Sequence, residues 1–267
     1  MNNSSPSITI AISTIACNFE SFISIFNFSS LSDADEVIIV IQGESDNLLL
    51  DKLEQKYIII IDKGLGVSRS RNLALERSRS DFIWFMDEDV IIKENAIMKV
   101  KQYMEKGAAD IYTVRTMCGE INHPYKNYSN KTRLKRRDIV SISTIEIIAS
   151  RQYIIDSQVR FNASMGLGTK FPSCEENIFL LDLFDLGAEI QHIPEYVQNH
   201  PYVNRAISFS NPDILFAKGV FCKRYNGVMG VLLLLFWLIR ASWNGAGFRD
   251  SFQLVSGYLY GNKILIY

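Results

Sequence analysis

The sequence lacks the features that mark a disulfide-rich, zinc-binding or nucleic-acid-binding protein. Its four cysteines (Cys17, Cys118, Cys174 and Cys222) are far apart and none has Cys-x-x-Cys spacing, so we expect reduced thiols of a cytosolic protein. The formal net charge of −1 provides no overall field that would attract a nucleic acid. The sequence has neither internal repeats nor low-complexity linkers. We therefore expect an ordinary globular protein.

Long apolar runs are also missing, with one exception near the C-terminus. The start, Met-Asn-Asn-Ser-Ser-Pro, has no basic region followed by an apolar stretch, so we expect no signal peptide. Residues 228–239, VMGVLLLLFWLI, are twelve apolar residues in a row, whereas a membrane-spanning helix needs about 20. Basic residues and tryptophan flank the run, so it fits either a buried helix or a helix lying in a membrane interface.

The first part of the chain alternates short apolar runs with helical patterns. The predicted strands are residues 8–13, 36–41, 57–62 and 82–86. The predicted helices are residues 19–28, 48–55, 67–78 and 95–106. The strands are continuously apolar and β-branched, as in a parallel sheet whose two faces are covered by helices. Four such units predict a doubly wound α/β fold with a mostly parallel sheet.

After residue 110 the pattern is looser. The predicted strands there are residues 110–117, 141–150 and 189–193, and residues 119–138 are expected to form a loop. The predicted helices are residues 175–186 and a tail at about 209–260. We therefore expect one α/β domain over residues 1–207, followed by a helical C-terminal appendage over residues 208–267.

Three carboxylates end the fourth predicted strand, in DFIWFMDEDV at residues 81–90. Asp87, Glu88 and Asp89 repel one another there, which is costly at the end of a buried strand. Ligands of doubly wound proteins bind at the carboxyl ends of the strands, and alternate residues leaving a strand point to the same side. Asp87 and Asp89 are thus predicted to face a hard divalent cation shared with phosphates. The alternative is a solvated acidic loop.

Two glycine-bearing loops add candidates. In residues 62–72, DKGLGVSRSRN, a tight bend precedes a helix start that could bind phosphate, with Arg69 and Arg71 in reach. The alternative is a plain turn with solvated arginines. In residues 166–177, GLGTKFPSCEEN, Glu175 and Glu176 open a helix. They are candidates for a general base, but Ser173 and Glu176 also fit a capping box.

These segments resemble a known family in sequence and order. EVIIVIQG, GLGVSRSRNLALERSRSDFIWFMDED and FNASMGLGTKFPSCEENIFLLDLFDLGAEIQHIPEYVQNHP are similar to successive motifs of the family 2 glycosyltransferases with the GT-A fold, over about residues 8–201. The resemblance implies a nucleotide-binding half (about residues 1–117) and an acceptor half (about residues 118–207). It also implies inverting transfer from a sugar nucleotide to a hydroxyl, with Mn²⁺ or Mg²⁺ as cofactor.

The resemblance also assigns residues to roles. The implied donor-binding residues are Thr14, Gln42, Arg71, Asp87 and Glu88, and Asn72 matches the family's Arg-Asn pair. The implied metal ligands are Asp87, Asp89 and His200, and the implied base is Glu176 or Glu175. The chain departs from the family at residues 41–44, where many relatives have Asp-Asp-Gly-Ser. Because Gln42 has a donor and an acceptor for a uracil edge, a UDP-sugar remains the expected donor.

The expected protein is therefore a hexosyltransferase of bacterial surface polysaccharide synthesis, acting on a glycan or lipid-linked acceptor. We expect a cytoplasmic location with peripheral contact at the inner face of the membrane, and no nucleic acid partner. The basic run KTRLKRR at residues 131–137 could contact a diphosphate lipid or an anionic membrane, or be a solvated loop. The alternatives are a nucleotidyltransferase that makes the sugar nucleotide, and an inactive sugar-nucleotide-binding or scaffold protein.

Overall fold

The computed structural model describes residues 5–44, 51–119, 121–201 and 211–265. The strands are β1 (Ile8–Ile15), β2 (Glu36–Gln42), β3 (Ile58–Asp62), β4 (Phe82–Asp87), β5 (Ile91–Ile92), β6 (Ile111–Cys118), β7 (His123–Pro124), β8 (Ile147–Ser150) and β9 (Ile190–His200). The helices are α1 (Phe19–Ile25), α2 (Asp51–Glu54), α3 (Val67–Arg77), α4 (Ala96–Met104), α5 (Arg151–Ser157), α6 (Glu175–Asp185), α7 (Pro212–Tyr225), α8 (Gly227–Trp243) and α9 (Phe248–Ile264).

One mixed sheet organises the strands, in the order β3-β2-β1-β4-β8-β6-β9-β5, with β7 paired to β6. The first four strands of that order are parallel to one another, and β8 joins β4 in antiparallel orientation. Ile10, Ile12 and Ile39 are completely buried, which is expected when helices cover both faces of a parallel sheet. The predicted α/β fold is confirmed.

The chain divides into two compact units. The sheet unit contains Met1–Leu65, Ser70–Arg160 and Asp182–Tyr202, and the helical unit contains Gly66–Arg69, Phe161–Leu181 and Val203–Tyr267. The helical unit thus joins the three C-terminal helices to the glycine-bearing loop after residue 161. The domain boundary predicted near residue 207 lies outside the described residues, and so do residues 48–50 of the predicted second helix.

Several elements differ from the predictions. Only residues 147–150 of the strand predicted over 141–150 form a strand, because Arg136–Ser141 and Thr144–Glu146 are 3₁₀-helices. Glu146 turns the chain back by accepting a hydrogen bond from the Ser143 N–H, at 3.1 Å. Two further features were missed. Helix α5 begins at once after β8, and β9 continues to His200 because β6 and β5 pair with it.

The helical unit contains the predicted tail as three helices, α7, α8 and α9. The backbones of α7 and α9 approach so closely that only glycine fits at the contact. A Cβ atom on Gly219 would lie 2.1 Å from the Leu254 carbonyl oxygen, and one on Gly257 would lie 2.0 Å from the Phe216 carbonyl oxygen. Among the described residues, no helix combines the length and the apolar character that crossing a membrane requires.

Candidate active site

The carboxyl ends of the parallel strands carry polar side chains in the sheet unit. The pairing places Gln42 beside Ile15 on one side and beside Asp62 on the other, and places Asp87 beside Ser13. Gln42 and Asp62 are buried, as is Thr14 on β1. Adjacent parallel strands end at the same edge of the sheet, so these side chains form one polar strip. A strip of this kind is the usual ligand site of such sheets.

Glu88 connects the end of β4 to the start of the loop after β1. Its carboxylate accepts hydrogen bonds from the Thr14 hydroxyl, from the Ile15 N–H at 3.3 Å and from the Asn18 side-chain amide at 2.6 Å. The structure therefore brings the predicted donor-binding residues Thr14 and Glu88 together. In this arrangement the Glu88 carboxylate holds the loop after β1 at the carboxyl end of the parallel strands.

Asp87 is held by an arginine of α3. Arg71 Nη2 donates to Asp87 Oδ1 at 3.1 Å, and the Arg71 side chain is only 4% exposed. The two neighbouring serine hydroxyls, Ser13 on β1 and Ser70 on α3, are 2.8 Å apart. A buried guanidinium needs a negative partner, and the Asp87 carboxylate supplies it. Arg71 and Asp87, both predicted to bind the donor, thus form a preformed ion pair at the strand ends.

Asp89 has a different partner from Asp87 and faces a histidine. His200 Nε2 is 3.4 Å from Asp89 Oδ1, and the Asp89 side chain is 47% exposed. Partial burial raises the pKa of Asp89, the His200 charge opposes this, and the carboxylates of Asp87 and Glu88 add to the rise. Negative charge is therefore crowded at this turn, which favours a bound cation.

The ring of His200 has its other nitrogen occupied. Its Nδ1 is 2.7 Å from the Pro201 carbonyl oxygen. Since a carbonyl only accepts, Nδ1 carries the hydrogen of this bond, which leaves Nε2 as the ring nitrogen directed at Asp89. The ring of Tyr125 packs beside that of His200, with the centroids 5.1 Å apart.

Sheet pairing brings His200 to Asp89, over a long distance in sequence. Strand β5 follows the acidic turn directly and pairs Ile91 with Asn199 of β9. The other side of β9 pairs His200 with Cys118 of β6. A cavity of about 310 Å³ opens there, lined by Asp89, Ile91, Gly119, Asn199, His200 and Pro201. Hence Asp89 and His200 face a space large enough for a small polar group.

Asp89 and His200 fit a divalent cation that is shared with a ligand. Histidines that bind metals usually donate their second ring N–H to a carbonyl or carboxylate, as His200 does to Pro201. In the part of the chain that the structure describes, no three His, Cys, Asp or Glu side chains are grouped to hold a metal ion. Mg²⁺ and similar ions are often bound by one or two carboxylates together with substrate phosphates. The donor set therefore fits a cation completed by phosphate oxygens.

Asp87 and Asp89 were predicted to point to the same side as alternate residues of one strand, but they do not both lie in the strand. Strand β4 ends at Asp87, and Glu88 and Asp89 form a turn in which the Val90 N–H donates to the Asp87 carbonyl at 3.2 Å. Because alternation holds only within a strand, the two aspartates have different partners, Arg71 and His200. Joint binding of one metal by both aspartates stays a prediction.

In the helical unit, Glu175 and Glu176 are the first two residues of α6. The Ile178 N–H donates to the Cys174 carbonyl at 3.1 Å, which identifies Cys174 as the residue that precedes the helix. Ser173 is therefore one position too early for the predicted capping box with Glu176. The two carboxylates remain favourable at a helix N-terminus.

The two glutamates differ in their surroundings. Glu175 is buried, and a Cβ atom on Gly166 would lie 3.0 Å from its carboxyl carbon. Gly166 has a φ of +95°, so the loop needs glycine there for both conformation and space. Glu176 is only half-buried. Of the two carboxylates, Glu176 is the one with more access to a ligand.

The basic run at residues 131–137 has acidic partners in the sheet unit. Lys131 pairs with Asp138 at 3.5 Å, and Arg136 pairs with Asp185 at 3.1 Å. Arg133 also pairs with Glu189, at 3.2 Å. Such pairs are typical of a loop fastened to the protein surface, and exposed pairs contribute roughly 0.2–1 kcal/mol each.

A second cavity in the sheet unit, of about 350 Å³, contains buried ionisable side chains. Glu146 pairs with Lys126 and accepts from the Tyr128 hydroxyl at 2.7 Å. Burial, followed by the charges of Arg115 and Lys126, lowers the pKa of His192 to about 4. His192 is therefore neutral in the folded protein at neutral pH.

The sequence did not single out Asn18, Asp62 or Tyr125. Asp62 ends the apolar run YIIIID, so the rule applied to Asp87 also indicates it. Its carboxylate accepts from the Gly64 N–H at 3.1 Å and shapes the loop after β3. No local pattern marks Asn18 or Tyr125, because their contacts with Glu88 and His200 come from distant parts of the sheet.

Comparisons with known proteins agree with the fold. The model of the family "Glycosyl transferase family 2" matches residues 14–164, more than half of the chain. No curated protein matches the chain. Among solved structures, the chain is similar to S. aureus TarS residues 1–349 in complex with UDP-GlcNAc, with a TM-score of 0.67, 15% identity, and coverage of 97% of this chain and 82% of that one.

Two further structures show the same fold. S. aureus TarS residues 1–349 without a named ligand matches with a TM-score of 0.62 and 15% identity, over 98% of this chain and 93% of that one. A crystal structure described as a mycobacterial protein matches with a TM-score of 0.52 and 18% identity, over 82% of this chain and 74% of that one.

Proposed function

The chain belongs to glycosyl transferase family 2, and we propose that it is an inverting hexosyltransferase that uses a nucleotide sugar and a divalent metal ion. The observation that carries the proposal is the arrangement at the strand ends, where the Arg71–Asp87 ion pair lies beside the Asp89–His200 pair. An arginine, two carboxylates and a histidine at this edge suit a ligand with a negatively charged diphosphate and a bound cation.

The nucleoside of the donor is proposed to bind along Thr14 and Gln42. Gln42 is buried at the end of β2 and has both a donor and an acceptor for a uracil edge. Two TarS structures are in complex with UDP-GlcNAc or with UDP, which supports a UDP-sugar as the donor here. Glu88 contributes by holding the loop that contains Thr14.

Asp89 and His200 are the residues proposed to hold Mn²⁺ or Mg²⁺. A cation bound there would neutralise charge on the departing nucleoside diphosphate, a Lewis-acid role. Arg71 holds the Asp87 side chain in orientation at the end of β4. The Pro201 carbonyl keeps the ring of His200 oriented.

Glu176 is the proposed general base, with Glu175 as the alternative. In the transfer, the acceptor oxygen forms a bond to the anomeric carbon of the donor sugar on the face opposite the diphosphate. The bond from that carbon to the diphosphate oxygen breaks, and its electron pair leaves with the nucleoside diphosphate. The acceptor proton goes to a Glu176 carboxylate oxygen. The greater exposure of Glu176 supports this order of the two glutamates.

The acceptor is proposed to be a glycan or a lipid-linked sugar in bacterial surface polysaccharide synthesis. The proposed location is the cytoplasm, with peripheral contact at the inner face of the membrane. The support for the membrane contact is the apolar run at residues 228–239 in the helical unit.

Donor turnover with defined metals tests the proposal. The full chain would be incubated with UDP-sugars and other sugar nucleotides, with Mn²⁺, Mg²⁺ or EDTA, while release of the nucleoside diphosphate is measured. We expect turnover of one donor that EDTA abolishes. Pyrophosphate release from a nucleoside triphosphate and a sugar phosphate would instead show a nucleotidyltransferase. Donor binding without turnover would show an inactive binding protein.

A further inference from the structure

Helix α8 of the helical unit is apolar on opposite faces. Its buried stripe consists of Gly230, Leu234, Trp237 and Ala241, at the spacing of one helix face. The opposite face consists of Val228, Leu232, Leu235 and Ile239, which are 76%, 51%, 49% and 54% exposed. A helix that is apolar all round is normally enclosed by protein or lipid. Within the helical unit, α8 is enclosed on one side.

The exposed apolar surface continues through the turn into α9. Trp243 is 85% exposed at the end of α8, and Phe248 is 88% exposed at the start of α9. We call Val228, Leu232, Leu235, Ile239, Trp243 and Phe248 the apolar face. Soluble monomers rarely expose large side chains in so continuous a patch. A contact with another apolar phase is therefore expected here.

The charge of this segment differs in sign from that of the whole chain. Residues 211–265 contain six basic and two acidic residues, a net charge of +4, while the whole chain has −1. Arg240 lies in the last turn of α8, and Arg249 lies next to Phe248. Basic residues close to exposed aromatic and aliphatic side chains are the composition of helices that lie on anionic membranes.

We propose that the apolar face inserts into the headgroup region of a bilayer that contains anionic lipids, with α8 lying parallel to the membrane plane. Helix α8 has 17 residues, or about 26 Å, which is shorter than the roughly 30 Å hydrocarbon core. Trp243 would lie at the interface, where tryptophan is favoured. The inference specifies the membrane contact of the proposed function and rests on that function for the reason why a lipid surface is needed.

A second copy of the chain fits this surface less well. Docking two identical faces would bring two segments of net charge +4 together, which repel each other at physiological ionic strength. An anionic lipid surface, by contrast, attracts each basic residue near it. Lipid is therefore the occupant that agrees with both the apolar side chains and the charge.

Vesicle flotation with matched variants tests the inference. The first variant is Leu232→Gln with Leu235→Gln and Ile239→Gln. The control is Ile25→Gln with Ile121→Gln and Leu186→Gln, three aliphatic residues of similar exposure in the sheet unit. On vesicles of phosphatidylcholine with phosphatidylglycerol, we expect the full chain and the control to bind equally. The α8 variant should lose about tenfold or more in binding, and so should the full chain on pure phosphatidylcholine.

Tryptophan fluorescence of the full chain provides a second measurement that needs no disruptive variant. Trp84 and Trp237 are buried, and Trp243 is exposed. Anionic vesicles should therefore shift the emission to the blue, and brominated lipids should quench it. Trp243→Phe should remove both responses. This result decides the question even if the triple α8 variant does not fold.

Three results would overturn the inference. They are equal binding of the α8 variant and its control, an emission unchanged by vesicles, and a dimer in light scattering that the α8 substitutions convert to a monomer.

Binding of UDP without vesicles, followed by thermal shift, keeps the two proposals separate. Loss of vesicle binding with intact UDP binding removes only the membrane contact. Vesicle binding without any nucleotide binding removes only the proposed function.

Discussion

The sheet unit buries ionisable side chains and pairs them, whereas the helical unit leaves apolar side chains on its surface. Arg71 and Glu146 are almost fully buried, and each has an oppositely charged partner within the sheet unit. On α8, Leu232 and Ile239 are each about half exposed, at 51% and 54%. A buried charge is tolerated only with a partner in place. Arg71 and Glu146 therefore need no partner from outside the sheet unit. An exposed apolar face is stabilised only by something outside its unit.

The comparison indicates two kinds of function. At the strand ends, preformed ion pairs can orient a charged ligand with little rearrangement, which is what catalysis by positioned charges requires. In the helical unit, the exposed apolar face is the surface proposed to contact lipid. The substitutions below test whether the two regions differ in this way.

The largest effect is expected for Asp89→Asn. Asparagine keeps the size of the side chain but removes the charge that is proposed to bind the cation. Because a bound metal contributes several kcal/mol to the reaction, donor turnover should fall on the order of 10³-fold or more. The melting temperature should stay within a few degrees, since Asp89 is half exposed. Wild-type turnover that EDTA leaves unchanged, together with an active Asp89→Asn variant, would refute the metal role.

The next effect concerns the two glutamates of α6. Glutamine at position 176 keeps the shape but cannot accept a proton, so transfer should fall by roughly 10²–10⁴-fold with donor binding retained. Glu175→Gln is the matched control and should be less severe in transfer. Near-normal transfer by Glu176→Gln with an inactive Glu175→Gln would move the base to Glu175. Normal transfer by both would exclude this helix start from the mechanism.

Arg71→Met is expected to affect stability as well as activity. It removes the charge partner of Asp87 from a buried position. A hydrogen bond to a charged group contributes about 1.5–3 kcal/mol, and we expect the lower end because Asp87 is partly exposed. Urea unfolding would measure the loss in the free energy of unfolding. Adding Asp87→Asn to Arg71→Met should recover part of that free energy. A double variant no more stable than Arg71→Met alone would show that the two side chains are not coupled.

The smallest effect is a dependence of stability on pH. Burial, Arg115 and Lys126 lower the pKa of His192 to about 4 from an ordinary 6.5, so the folded protein favours the neutral ring. The contribution of the neutral His192 ring to the free energy of unfolding is complete above pH 6.5 and is lost as the pH falls toward 4. We expect a loss on the order of 1 kcal/mol between pH 7 and 5, seen by urea unfolding. His192→Gln should reduce that loss, and equal acid sensitivity in both proteins would contradict the assignment.

The sequence was sufficient to predict the α/β fold, because continuous apolar runs such as EVIIVI and FIWFM are typical of parallel strands buried on both faces. It also indicated the strand-end position of Asp87 and Asp89, since ligands bind where parallel strands end. It did not predict β9 correctly. Only the first residues of β9 show a clear apolar pattern, and its extension to His200 depends on β5 and β6 on either side.

Which side chains meet at the site follows from the tertiary structure. Asp87 and Asp89 are two positions apart in sequence, yet one contacts Arg71 and the other faces His200, because β4 ends between them and β9 arrives beside the turn. The same holds for Asn18, which contacts Glu88 across 70 positions. Apolar periodicity predicts elements because it acts locally along the chain, whereas these pairs depend on sheet order and register. Local sequence does not encode either.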